Sequence, residues 1–182
     1  PEAISLLAQR KTAAGPLADQ FQFWIAEAEF ARGEYAAAAR AYADMLREFP
    51  RSDRKFQAAY GQAFSVQRAG DLAEAVRLLT DPAGVFATLA AAEPDHLLSI
   101  RGRLLLGESL FRLGKLAEAR AALDPLPGGD LGRETEWERQ FWLGMIEREQ
   151  DSAAALIRAT NLIQLATAAA SPALLARSHR WH

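Results

Sequence analysis

Cysteine is absent from the 182 residues, which removes disulfides, thiolate nucleophiles and cysteine-ligated zinc together. β-Branched aliphatic residues are scarce as well, with 3 valines and 6 isoleucines against 39 alanines and 25 leucines. Alanine and leucine lead the helix scale, whereas strands draw on β-branched side chains. No stretch alternates at period two for long enough to make a strand, so the composition predicts an all-α fold. Neither sign of charge dominates: 21 Lys and Arg stand against 23 Asp and Glu, and this balance argues against a general nucleic-acid binder. Disorder is excluded for the chain as a whole by 50% hydrophobic and 24% charged residues.

Long apolar runs are missing too, with one exception. Residues 159–176 carry no charge over 18 positions, the length of a membrane span. The run holds Thr160, Asn161, Gln164 and Thr167 and is interrupted by Ser171-Pro172, so a buried helix followed by a turn is expected, without membrane insertion. The chain opens on Pro1, without an initiator methionine and without a basic segment leading into an apolar one. It is therefore expected to be a piece of a longer protein.

What is present is a repeated phrase. Gly33, Gly70 and Gly114 are each followed by a polar and then an apolar residue: Glu34-Tyr35, Asp71-Leu72 and Lys115-Leu116. Alanine follows each glycine by five, at Ala38, Ala75 and Ala119, and a small residue precedes each by seven, at Ala26, Ala63 and Gly107. A weaker fourth copy has Gly144 in the small position, Asp151 in place of the glycine and Leu156 in place of the alanine. A glycine just past a helix adopts the left-handed conformation without a Cβ penalty. The residue after it caps the next helix, and Asp71 with Glu74 has capping-box spacing. The paired small residues predict close backbone approach where two helices cross. Tyr35, Ala38, Ala39, Tyr42, Met45, Leu46 and Phe49 form an apolar stripe at helical spacing, ended by Pro50.

This pattern resembles the tetratricopeptide repeat, in which helix pairs of about 34 residues stack into a right-handed α-solenoid. The resemblance is closest over residues 19–52, where Ile25, Ala26, Phe30, Gly33, Tyr35, Ala38, Tyr42 and Pro50 fall in register. It implies one array: residues 1–15 ending a preceding repeat, 17–52 the first repeat, and 53–94 the second with an inserted short helix over 83–92. Residues 95–132 form the third with a long loop, 133–170 the fourth, and 171–182 the start of a further helix. The phrase Leu46-Arg47-Glu48-Phe49-Pro50-Arg51-Ser52, with the aromatic–alanine helix after it, resembles repeats of bacterial periplasmic and outer-membrane lipoproteins and tilts localisation that way.

Signals for catalysis or cofactors are lacking. His96 follows Asp95 at an expected helix start and reads as solvent-facing, and His179 and His182, three apart, have no third metal ligand in view. Gly128-Gly129 lacks the lysine of a phosphate-binding loop, and no serine sits in a Gly-x-Ser-x-Gly elbow. Glu134, Glu136 and Glu138 lie at helix spacing from arginines and read as solvated faces. A non-enzymatic protein without cofactor or metal is expected.

By the resemblance, one face of each first helix lines a concave surface. The first copy places Gln20, Phe23, Glu27, Phe30 and Ala31 there, and the second Gln57, Tyr60, Phe64, Gln67 and Arg68. The third adds Arg101, Leu104, Glu108, Phe111 and Arg112, and the fourth Glu138, Phe141, Met145, Arg148 and Glu149. Family members that grip a C-terminal carboxylate use lysine and asparagine at several of these positions, and that set is absent here. What remains is an aromatic stripe flanked by arginines, suited to a protein or peptide partner. Packing against neighbouring repeats is the alternative for the aromatics, and pairing with Glu27, Glu74 or Glu108 the alternative for the arginines. A structural or self-assembly module, docking its uncovered end helices onto the rest of its own chain or onto a second copy, is the other role the pattern allows.

Overall fold

The computed structural model describes residues 2–11, 13–124, 132–150 and 152–179. The expected loop after Pro125, together with Asp151 and His182, lies outside the described residues except for Gly132. Among the described residues the protein is all-helical, as the composition predicts. Its contacts divide it into two compact units, residues 1–99 and 100–182.

The first unit holds α1 (Glu2–Lys11), a 3-10 turn at Gly15–Leu17, α2 (Ala18–Ala31), α3 (Tyr35–Glu48), α4 (Lys55–Arg68), α5 (Leu72–Thr80) and α6 (Val85–Ala92). The helices α1 to α5 each pack on their neighbours in the chain, and α6 packs on α4 as closely as on α5. The second unit contains most of α7 (Leu97–Arg112), then α8 (Leu116–Leu123), α9 (Arg133–Gln150), α10 (Ser152–Ala168) and α11 (Pro172–His179). Here too α9 packs on α8 and α10, and α10 on α11. Adjacent-pair packing of this kind is that of a helical-repeat solenoid.

Three helix ends close alike. Gly33, Gly70 and Gly114 have φ of 79°, 98° and 75°, and the next residue's N–H reaches back five residues: Glu34 to the Glu29 carbonyl, Asp71 to Val66, Lys115 to Leu110. The same closure recurs after α10 with alanine in the glycine's place. Ala170 has φ 51°, its N–H donates to the Thr167 carbonyl at 3.0 Å, and Ser171 N–H donates to Ala166 at 3.3 Å. The Asp71 cap forms, accepting from Glu74 N–H at 3.0 Å. The reciprocal half of the box does not, because Glu74 turns to Arg77 and takes two hydrogen bonds of 2.6 Å from its guanidinium. That pair holds the Glu74 carboxyl below the usual carboxylate range.

The small residues of the repeated phrase sit at helix crossings. Ala26, Ala38, Ala63, Ala75 and Ala119 are fully enclosed. A Cβ added to Gly107 would come within 2.6 Å of the Leu123 side chain, so α7 and α8 touch almost backbone to side chain there. Around the first pair of crossings Phe23, Tyr42 and Met45 complete the core. In the second unit the core forms around Trp137, which is entirely buried with Leu162 and Ala166. Its indole N–H donates to Ser178 Oγ at 2.9 Å, and that hydroxyl donates to the carbonyl of Leu174 at 2.9 Å, closing a polar chain between α9 and α11. A second polar link joins three helices, with the Arg158 guanidinium held by buried Glu147 and by Gln140 and Arg120 3.7 Å from the same carboxylate.

Among the described residues no single helix is long and apolar enough to cross a membrane. The uncharged run ends its first helix at Ala168 and resumes at Pro172, with Ser171 accepting from Leu174 N–H at its start. The α5 and α6 helices together have the length and composition of a span, but they bend by 47° at the break.

Candidate interaction surface

In the first unit three of the expected residues form an aromatic ladder. Phe30 on α2 stacks on Phe64 on α4 with centroids 5.2 Å apart, and Phe64 stacks on Tyr60 at 5.9 Å. All three are half-buried. Tyr35, the first residue of α3, meets Phe30 edge-on at 5.2 Å. Exposed Arg68 closes the ladder's end, its guanidinium 5.3 Å from the Tyr35 ring centre and donating to the Tyr35 hydroxyl at 3.2 Å. Among the described residues Arg68 has no acidic partner; the Tyr35 phenol takes that place.

Phe23 stands apart from this surface. It is only 7% exposed, packs edge-on against Tyr42 at 5.9 Å, and lies under the Arg54 guanidinium at 5.1 Å. Its ring is a core group, because the bulky Tyr42 on α3 draws it inward. The neighbouring Trp24, which register alone does not select, keeps 50% of its surface exposed with Arg54 5.8 Å from its ring. Glu27 is half-buried and accepts the Tyr42 hydroxyl proton. Burial first, and then that bond and the Glu27 charge, push the Tyr42 hydroxyl far above the ordinary phenol range. Glu27 therefore anchors α2 to α3.

In the second unit Phe111 on α7 meets Trp142 on α9 at 5.6 Å, and Trp142 meets Phe141 edge-on at 5.2 Å. Phe141 also stacks on buried Trp137 at 5.2 Å, and the Arg177 guanidinium from α11 lies 4.9 Å from its centre. Phe111, Phe141, Trp142 and Met145 are half-buried, while Arg101, Arg112 and Arg148 are exposed. Arg112 pairs with Glu108 at 3.6 Å, as one of the alternatives anticipated. Arg101 makes no hydrogen bond or ion pair among the described residues.

Glu138 differs from a freely solvated residue. It reaches solvent yet is crowded by protein, and that desolvation, reinforced by the charge of Glu108, raises its carboxyl pKa against the opposing pull of Arg177 and Arg101. Glu136, by contrast, pairs with Arg139 at 2.9 Å, and Arg139 also donates to the carbonyl of Leu123 at 3.0 Å, capping α8. His96 caps as well: its Nδ1 accepts from Leu98 N–H at 3.1 Å while its ring stacks on Phe56 at 5.0 Å. Among the described residues no group of three or more His, Cys, Asp or Glu is placed to hold a metal ion.

Trp24, Trp142 and Arg177 are the surface residues that sequence register missed. Trp24 and Trp142 each follow an expected position by one, and Arg177 comes from α11, which the repeat pattern leaves incomplete.

Paired helices, left-handed closures and enclosed small residues define a helical-repeat protein. Residues 20–52 match the family model of the tetratricopeptide repeat, so the α2–α3 pair is a tetratricopeptide repeat. No curated protein and no solved structure matches the chain. Tetratricopeptide repeats generally mediate protein–protein interaction.

Proposed function

We propose that the chain is a non-enzymatic scaffold that binds a protein or peptide through the concave faces of its first helices. The observation that carries this reading is the ladder Phe30–Phe64–Tyr60, which stays half-exposed although it is aromatic, with Arg68 at its end held by a phenol and by no carboxylate among the described residues. Large half-buried aromatic rings and arginine are the residue types that dominate interface energies. Phe111, Trp142 and Phe141 with Arg101 and Arg177 give the second unit a surface of the same chemistry. The preformed rings supply apolar burial, and the arginines set register and speed encounter.

Selection of a displayed random-peptide library on the protein, followed by calorimetric titration, tests this. Peptides enriched on the wild type should bind Tyr60→Ala and Arg68→Ala at least tenfold more weakly, since hot-spot truncations cost about 2 kcal/mol or more. Undiminished binding to both variants overturns the concave-face reading. Self-association is the second reading, favoured by Ile157 on α10, 70% exposed, and by Leu6 on α1, 54% exposed. It predicts a sedimentation mass that rises with concentration and falls on Ile157→Gln.

A further inference from the structure

The extra helix α6 does more than lengthen the second pair. Lying against α4 and α5, it leaves a half-open cavity of about 180 Å³ bounded by α3, α4, α5 and α6. No residue of the concave set lines it. Its floor is apolar, made by Leu46, Ala59, Leu78 and Phe86, and Phe86 is held in place by its contact with Phe56 at 5.4 Å. Val85 stands at the cavity with 39% of its surface exposed.

The polar groups are few and unequal. Arg77 is engaged by both oxygens of Glu74 at 2.6 Å and by Asp81 at 3.4 Å, so its charge is answered within the chain. Gln62, half-buried on α4, has no hydrogen-bond partner among the described residues. The cavity therefore offers apolar walls, no unanswered charge and one amide able to donate or accept. Its size suits a single ring: an apolar cavity of about 150 Å³ takes up benzene.

We propose that this cavity is a socket for a tyrosine side chain of a partner protein, the ring on Leu46, Ala59, Leu78 and Phe86 and the hydroxyl on the Gln62 amide. A neutral ring with one hydrogen-bonding group matches this lining, whereas an anionic ring meets Asp81 without a free cation, Arg77 being held by Glu74 and Asp81.

The test uses p-cresol, toluene, benzoate and N-acetyl-tyrosinamide with the full chain, read by methyl shifts of Leu46, Ala59 and Leu78. p-Cresol should shift these methyls and bind roughly two- to tenfold tighter than toluene, the size of one net hydrogen bond, with benzoate weaker than either. N-acetyl-tyrosinamide should bind at least as well as p-cresol. Gln62→Leu should remove the preference for p-cresol while keeping toluene binding, and Val85→Trp, which crowds the cavity from its exposed side, should remove both with the helical circular dichroism unchanged. No shift at these methyls with saturating p-cresol overturns the proposal, as does a preference that survives Gln62→Leu or binding unaffected by Val85→Trp. Binding of p-cresol without N-acetyl-tyrosinamide would replace the partner side chain by a free small phenol and so refute the proposal as stated.

Discussion

Substituting Gly107 by alanine tests the crossing of α7 and α8. The new Cβ would lie 2.6 Å from both Cγ and one Cδ of Leu123, far inside contact distance. Leu123 is fully buried, so its side chain has no space to retreat into. Overpacking of this kind costs about 1–3 kcal/mol. Replacing glycine by alanine inside a helix returns about 1 kcal/mol of propensity, leaving a net loss of roughly 0–2 kcal/mol. Leu123→Ala alone should cost about 2–5 kcal/mol for a fully buried leucine. On that background the clash is gone, and Gly107→Ala becomes stabilising by about 1 kcal/mol through propensity alone. The double-mutant cycle should therefore show a coupling of about 1–3 kcal/mol, within the range found for residues in contact. Urea unfolding followed by tryptophan fluorescence and far-ultraviolet dichroism measures all four corners. A coupling near zero would refute the reasoning, because the small residue would then serve propensity or chain flexibility rather than close approach.

Ala170, at φ 51°, occupies a conformation that costs an L-residue about 1–2 kcal/mol, while glycine there adds unfolded-state entropy of about 0.4–1 kcal/mol. Ala170→Gly should thus stabilise the protein by roughly 0.5–1 kcal/mol, a rise of about 1–4 °C in melting temperature, and a fall would contradict the closure assigned to α10. Glu138 has its folded-state carboxyl pKa raised, so the folded protein holds this proton to higher pH than the unfolded chain. Its contribution is fully present below the ordinary carboxylate range and is lost as pH climbs through the raised value. Urea midpoints of Glu138→Gln measured from about pH 4 to about pH 7 should decline less than those of the wild type, and parallel curves would count against the crowding described for this carboxylate.

Helix ends and crossings were legible in the residues because both are local. Gly33, Gly70 and Gly114 terminate helices since only glycine enters the left-handed region freely, and Ala26, Ala63 and Gly107 are small because nothing larger fits at their crossings. The surface was legible only as a face. Register puts Phe23 and Phe30 on the same side of α2, but Tyr42 draws Phe23 into the core while Phe30 stays at the ladder's edge. That difference depends on which side chain a neighbouring helix brings, and one helix's sequence does not hold it. Arg177 shows the same limit, reaching Phe141 from a helix 36 positions further along. The closure after α10 has no glycine, because there the backbone turns left-handed on Ala170, a residue type that carries no such signal.

Photo-crosslinking tests the concave-face account most directly. Benzoylphenylalanine placed at Tyr60, within the ladder, is compared with the same group at Ala73, exposed on α5, in extract of the source organism. The account predicts a discrete crosslinked protein from position 60, displaced by an excess of wild-type chain and absent from position 73. Equal crosslinking at both positions, or a product from position 73 alone, would contradict it.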